Sequence, residues 1–239
     1  WISREDTSSP TASLEAICST CVIDAYEGRD VMTMDLPNAF IQTSMPQPKD
    51  GENRVTMKIT GILVRYMLEL DPQYRDYVVY ENGKKVIYVV VLRAIYGMLV
   101  AGLLFYKKLK KDLEDIGFKF NAYDPCVANR NMDGKQHTIR FHVDDIMSSH
   151  IDPKINDDFL KWAQSVYGTF KDVTSTRGKV HKYLGMTLDF RTKGKVKIRM
   201  DDYVDRMLDE FTIKFKENDK VETPASTTLF DVGQGAPLD

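Results

Sequence analysis

Two adjacent carboxylates, Asp144 and Asp145, sit in the stretch TIRFHVDDIMSSH between two short apolar runs. Like charges this close raise each other's pKa, so a pair kept in what reads as sheet points either to a bound cation or to a solvated aspartate turn. Successive strand residues face opposite sides, so a regular strand sends only one of the two to a given site. A tight turn between IRFHV and IMSS instead presents both at a hairpin tip, one facing a ligand and the other supporting it. Asp35 ends the β-rich run RDVMTMD, because Pro37 forbids a regular ladder beyond Leu36, and it is the natural third carboxylate. Three such groups stay ionised together when a cation joins them. All-oxygen ligands suit a hard ion, Mg²⁺ or Mn²⁺, and phosphoryl transfer commonly uses two of these about 3.5–4 Å apart. Spacing alone leaves the solvated turn open.

The rest of the chain must position these groups. Its 239 residues, 43% hydrophobic and 28% charged, suit one large domain or two small ones with a real core. A net charge of -2 supplies no global field for a polyanion, so such a partner has to be held locally. Residues 171–199 offer a place, with nine bases (Lys171, Arg177, Lys179, Lys182, Arg191, Lys193, Lys195, Lys197, Arg199) against two acids (Asp172, Asp189). The bland reading of that run is a solvated hairpin face. No apolar run reaches membrane-spanning length and the N-terminus lacks the pattern of a signal peptide, so the expectation is a soluble, intracellular protein without a membrane partner. A chain that opens on Trp1 is expected to be a piece of something longer. Cys18 and Cys21 in CSTC lie within an apolar helical pattern, and with Cys126 they are expected to be core thiols rather than metal ligands.

Helical periodicity runs from a Ser9-Pro10 start to Gly28, and VTMKITGILVRYMLEL reads as strand then helix. Asn82-Gly83 and Asp133-Gly134 mark hairpins. Leu103, Tyr106, Leu109, Leu113 and Ile116 form one helical stripe ending at Gly117, with Lys107, Lys108, Lys110 and Lys111 on the other face. Asp152-Pro153 opens a helix that stops at Gly168, YLGMTLDFRTKGKVKIRM reads as a third hairpin, and DDYVDRMLDEF is a helix behind it. Three hairpins among irregularly placed helices predict an antiparallel α+β domain, not a doubly wound nucleotide fold.

Four motifs then occur in order. MDLPNAF resembles the catalytic Asp followed by Ala-aromatic of reverse transcriptases, and HVDD resembles their aromatic-x-Asp-Asp box. The stretch LRAIYGMLVAGLLFYKKLKKDLEDIGFKFNAYDPCVA closely resembles copia-type retrotransposon polymerases, and HKYLGMTLDF resembles the segment that grips the primer end. Order and spacing agree over roughly residues 5–225. On these motifs the chain is identified as a member of the copia-type (Pseudoviridae) reverse transcriptases, of a stramenopile, diatom-like branch.

The resemblance implies a reverse-transcriptase palm at 1–170 with a remnant of fingers, a primer-grip hairpin and thumb start at 171–221, and a linker at 222–239 toward an absent ribonuclease H region. It implies RNA-directed DNA synthesis with two Mg²⁺ or Mn²⁺ ions on Asp35, Asp144, Asp145 and the Leu36 carbonyl. Asn38, Ala39, Phe40, Tyr96 and Gly97 would meet the incoming dNTP, with Phe40 as the steric gate against a ribose 2′-OH. Tyr183, Leu184, Gly185 and Met186 would form the primer grip, and Lys179, Lys182, Lys193, Lys195 and Lys197 would track the nucleic-acid backbone. The implied partners are an RNA or DNA template with its primer, dNTP and the rest of a polyprotein. The implied location is a cytoplasmic virus-like particle with a possible nuclear stage. Three departures stand out: Met98-Leu99-Val100-Ala101-Gly102 replaces the family's Leu-Lys-Gln-Ser-Pro, His142 replaces an aromatic, and the basic fingers segment is missing. An inactive remnant that binds nucleic acid, and a metal-dependent nuclease, are the competing readings.

Overall fold

The computed structural model describes residues 8–48 and 54–211. In chain order these form α1 (Leu14–Glu27), β1 (Asp30–Asp35), a 3₁₀ turn (Ala39–Gln42), β2 (Thr56–Thr60), α2 (Ile62–Leu70), β3 (Val78–Glu81) and β4 (Lys84–Val90). There follow α3 (Ala101–Asp115), β5 (Lys119–Phe120), β6 (Val127–Met132), β7 (Lys135–His142), β8 (Asp145–His150) and α4 (Pro153–Tyr167). The last elements are β9 (Thr174–Gly178), β10 (Val180–Tyr183), β11 (Met186–Asp189), β12 (Lys197–Arg199) and α5 (Asp201–Glu210). The architecture is α+β: a six-stranded sheet ordered β5-β6-β7-β8-β1-β9 and two three-stranded sheets, β10-β11-β12 and β2-β4-β3, with every pairing antiparallel.

Helices cover both faces of the main sheet, and strand alternation assigns each face its helix. Arg140 and Met147, opposite each other in β7 and β8, face α1, whose Asp24 takes a hydrogen bond from Arg140 Nη2. His137 and Ser148 face α4. There Ser148 Oγ donates to Asn156 Oδ1 (2.7 Å), so His137 must donate to Ser148 through Nε2 (2.8 Å) and accept at Nδ1 from Arg130 Nε (3.1 Å). Burial, with Arg130 beside it, holds His137 neutral, its pKa pushed down to about 3. α4 buries Asn156, Phe159, Ala163 and Tyr167, and α3 buries Ala101, Phe105, Leu109 and Leu113, all at helical spacing.

The α3 stripe is rotated from the expected one, because Phe105 rather than Leu103 turns inward to meet Phe40 and Tyr167 at ring separations of 6.4 and 6.3 Å. Its lysine face is largely paired at i,i+4 spacing: Lys108 with Asp112, Lys110 with Glu114 and Lys111 with Asp115.

The N-cap of α1 is Ser13, not Ser9. Asp124 of the Asp-Pro-Cys stretch accepts from both the Ser13 amide and hydroxyl (2.9 Å each) and from the Cys126 amide (2.9 Å), while Ser13 Oγ accepts from the Ala16 amide. That signature therefore pins the start of α1 to the loop before β6. Asp124→Ala is expected to cost about 2–3 kcal/mol in urea unfolding, since charge-assisted bonds are lost and buried amides are left unpaired. A cost below about 0.5 kcal/mol would show the pin to be idle.

The hairpin expected in YLGMTLDFRTKGKVKIRM is present as β11 and β12, and β10 extends it to a three-stranded meander because the chain already turns at Leu184-Gly185, where φ is 49° and 77°. The boundary expected at 170/171 falls within one unit: β9 pairs with β1 in the main sheet, and the chain divides between Arg199 and Met200. Residues 56–90 make a small sheet with α2 inside the interval expected to hold the palm and a remnant of fingers. The expected linker 222–239 lies outside the described residues. Among the described residues no helix is long and apolar enough to cross a membrane.

Candidate active site

β7 and β8 meet in a two-residue turn, Val143-Asp144, flanked by the pair His142–Asp145. Val143 has φ of 58°, a left-handed conformation that glycine usually supplies and that strains a β-branched residue by roughly 1–3 kcal/mol. The turn lifts Asp144 to the tip and leaves Asp145 as the first residue of β8. On the other side Asp145 is the register partner of Asp35 in β1, and the Leu36 amide donates to the Asp144 carbonyl (3.1 Å), tying the end of β1 to the turn.

Cross-strand partners point to one face, so Asp35 and Asp145 share a cleft while Asp144 stands at the tip. The register makes Asp145 the direct neighbour of Asp35. Burial raises the Asp144 carboxyl pKa, with Asp35 adding to it, and burial followed by Asp144 and Asp35 raises that of Asp145. The three groups feel one another's charge. Among the described residues, however, no three His, Cys, Asp or Glu side chains are gathered closely enough to hold a metal ion. The carboxylates are neighbours by register and field rather than a closed coordination shell. Their chemistry still suits a hard divalent ion: all donors are oxygens, Asp144 and Asp145 are half-buried, and an added positive charge would offset the burial and the neighbouring charge that raise their pKa values.

Beyond β1, Asn38 takes a left-handed conformation (φ 53°) and Ala39 begins the 3₁₀ turn. This sequence of conformations makes neighbouring amides converge into an anion-binding nest. Phe40 is half-buried, 4.5 Å from Tyr96 and 6.4 Å from Phe105 between ring centroids. Tyr96 reaches this place because residues 43–45 bond to residues 92–94 (Met45 amide to Leu92, 3.0 Å; Ala94 amide to Thr43, 2.9 Å), and Gly97 follows with φ of 92°. The Tyr96 hydroxyl pKa is raised by burial and by Asp144 and Asp35, so Tyr96 belongs to the same field. The structure thus brings Asp35, Leu36, Asn38, Ala39, Phe40, Tyr96, Gly97, Asp144 and Asp145 around one end of β1.

From the other side, the buried Tyr183 donates to the Asp145 carbonyl (3.4 Å) at the Leu184-Gly185 turn, with Met186 buried behind it. Lys182 lines the cleft of Asp35 and Asp145, and Lys179, Lys193, Lys195 and Lys197 are exposed on the strands and loop that follow. The basic balance of 171–199 is smaller than its sequence count, since Arg177 pairs with Asp30 and Asp157 from outside the run. Sequence reasoning missed Thr33, Thr174 and Thr176, which line the same cleft; the alternating Thr-Ser-Thr after Val173 was the available signal for a strand.

Residues 76–227 match a family profile described as "Reverse transcriptase (RNA-dependent DNA polymerase)". The chain belongs to this reverse transcriptase family, whose members generally use divalent metal ions. Among curated proteins it is 27% identical over 119 residues to the transposon Ty5-1 protein YCL074W of Saccharomyces cerevisiae, covering 50% of this chain and 37% of that protein. The chain thus spans well under two thirds of that relative. Among solved structures it resembles the telomerase of Candida albicans in complex with a fragment of telomeric RNA, with a TM-score of 0.43 and 11% identity over 81% of this chain and 36% of that one.

Proposed function

We propose that this chain is the polymerase portion of a copia-type retrotransposon reverse transcriptase, of the stramenopile branch, and that it extends a primer by RNA-directed DNA synthesis. The observation that carries the reading is the cross-strand pair Asp35–Asp145 beside the Asp144 turn, in a chain of the reverse transcriptase family. The primer 3′-OH gives its proton to solvent water and its oxygen bonds to the α-phosphorus of a dNTP; the bond from that phosphorus to the bridging oxygen breaks, and pyrophosphate leaves with that electron pair. Two divalent ions, Mg²⁺ or Mn²⁺, held by Asp35, Asp144, Asp145 and the Leu36 carbonyl, would supply the charge that stabilises the developing oxyanions. The chain's own contribution is placement. The Asn38-Ala39 amides face the triphosphate, the Phe40–Tyr96 pair underlies sugar and base, and Tyr183 to Met186 with the lysines from Lys179 to Lys197 hold the primer strand.

In this reading residues 171–221 carry the primer grip and thumb start, the rest of a polyprotein supplies further domains, and the working location is a cytoplasmic virus-like particle. The test is primer extension by the chain on RNA and DNA templates with Mg²⁺ or Mn²⁺, scored in the same mixture for strand degradation. Extension supports the proposal. Degradation without extension means a nuclease, and duplex binding without either means a non-catalytic palm.

Phe40 offers a more specific check. Its ring touches Tyr96 and packs toward Phe105, so it is gate and wall together. Phe40→Leu keeps most of the apolar contact but shortens the wall, and is expected to raise the rNTP/dNTP incorporation ratio about tenfold or more. A wild-type ratio would make Phe40 core only.

A further inference from the structure

A second cavity, of about 370 Å³, shares no lining residue with the cleft of Asp35 and Asp145. Backbone pairing builds its floor. The Val91 amide donates to the Val55 carbonyl (2.9 Å) and the Met45 amide to the Leu92 carbonyl (3.0 Å), so residues 90–92 are tied to both segments, 45–48 and 54–55, that border the space. Pro46 and Pro48, with φ fixed by their rings, stiffen one border. The first turns of α3 supply the facing wall. While its core stripe through Phe105 and Leu109 turns inward, Val100, Leu103, Leu104 and Lys107 form a second ridge at i, i+3, i+4 and i+7, and Leu103 finds its place there. Val55, Val90 and Leu92 stay 48%, 43% and 70% exposed. Uncovered aliphatic side chains around a concave space mark a ligand pocket, and the usual volumes of such pockets begin at about 300 Å³.

The lining decides the ligand class. None of its side chains is aromatic, so a nucleobase finds no ring to stack on. Its charged side chains are Arg54 and Lys107, both exposed, and no acid accompanies them. Lys108, Lys110 and Lys111 each pair with an acid four residues on, whereas Lys107 meets Lys111 at that spacing. Among the described residues neither Lys107 nor Arg54 has an ionic partner. Phosphate would leave the aliphatic walls wet, and a plain hydrocarbon would leave both cations unused. An aliphatic carboxylate satisfies both. At about 30 Å³ per heavy atom, the volume a water takes in the liquid, the space holds roughly twelve heavy atoms, the size of decanoate.

We infer that this cavity is a binding site for a medium-chain aliphatic carboxylate, its chain held between the α3 ridge and the 90–92 floor and its charge met by Arg54 and Lys107. The site does not depend on the polymerase reading above.

The test is isothermal titration calorimetry of the whole chain with sodium decanoate, and with decanol as the uncharged probe of equal chain length. Wild type is expected to bind decanoate saturably at one site, with Kd on the order of 10–100 µM. Arg54→Gln/Lys107→Gln alters only exposed side chains and is expected to weaken decanoate about tenfold while changing decanol less than about twofold. Leu103→Trp, which fills the cavity, is expected to weaken both probes more than about twentyfold. Absence of saturable decanoate binding, equal loss of both probes in the charge variant, or unchanged binding by Leu103→Trp would each overturn the inference. Self-association of the chain that Leu103→Trp disrupts, without decanoate binding, would also overturn it and assign the groove to a second copy.

Discussion

Asp145→Asn is expected to lower the rate of primer extension roughly 1,000-fold, as severely as Asp35→Asn, with Asp144→Asn close behind. Each substitution removes a ligand charge worth several kcal/mol of transition-state stabilisation. The placing of Asp145 beside Asp35 follows from the ladder register. Stability in metal-free buffer should move the opposite way. Asp144 and Asp145 have pKa values raised in the fold, so the folded chain holds their protons more tightly than the unfolded chain does. Their contribution to stability is fully present below the unfolded pKa and is lost as pH rises through the folded one. Replacing either by Asn removes that loss, so the variants should be more stable than wild type at neutral pH and show a flatter acid limb. Added Mg²⁺ should raise the melting temperature of wild type more than that of either variant. Near wild-type extension by Asp145→Asn, or a lower melting temperature for both variants without metal, would remove the carboxylates from the proposed chemistry.

The second large effect is expected far from solvent. Arg140 is 0% exposed and its partner Asp24 is 1% exposed, which makes their ion pair the link between α1 and the hairpin of Asp144. Burial works against the guanidinium's charge, and Asp24 together with Cys21 and Tyr183 more than offsets it, with the Met147 sulfur as a further neighbour. Arg29 stands on the same carboxylate at 3.8 Å and also donates to Thr138 (2.9 Å). Asp24→Asn leaves the buried Arg140 without its anion, while Arg29 keeps Glu27 (2.8 Å), so urea unfolding should show a loss of about 3–5 kcal/mol. Asp24→Leu combined with Arg140→Met should recover much of it, since an apolar pair of similar volume avoids the desolvation cost. A double variant as unstable as Asp24→Asn would mean that the pair contributes packing shape rather than charge balance.

Much of this was legible in the sequence, and what was not has identifiable causes. Asn82-Gly83 and Asp133-Gly134 declared their hairpins because both central residues take positive φ, which their side chains tolerate. Leu184-Gly185 takes the same conformation and was missed, since leucine is no advertisement for a left-handed turn. The carboxylates were found because charge inside an apolar run is costly, while which two of them lie side by side was not legible, because register depends on partners more than a hundred residues away. Arg140 inside IRFHV and Asp24 on the apolar face of α1 carried the same kind of cost, and their pairing across 116 positions became visible only when the helix lay on the sheet.

The position of β1 governs the order of assembly. It lies between β8 and β9, so residues 30–35 find their partners only among residues 145–150 and 174–178. These are contacts of high sequence separation, whose loop-closure entropy must be met before they return any stability, and such pairings form slowly. On a ribosome, the strand ending in Asp35 emerges before both its partners and waits for Gly178 until both its edges are covered. Chains interrupted anywhere between these points display an unpaired, apolar strand edge, the surface from which aggregation starts.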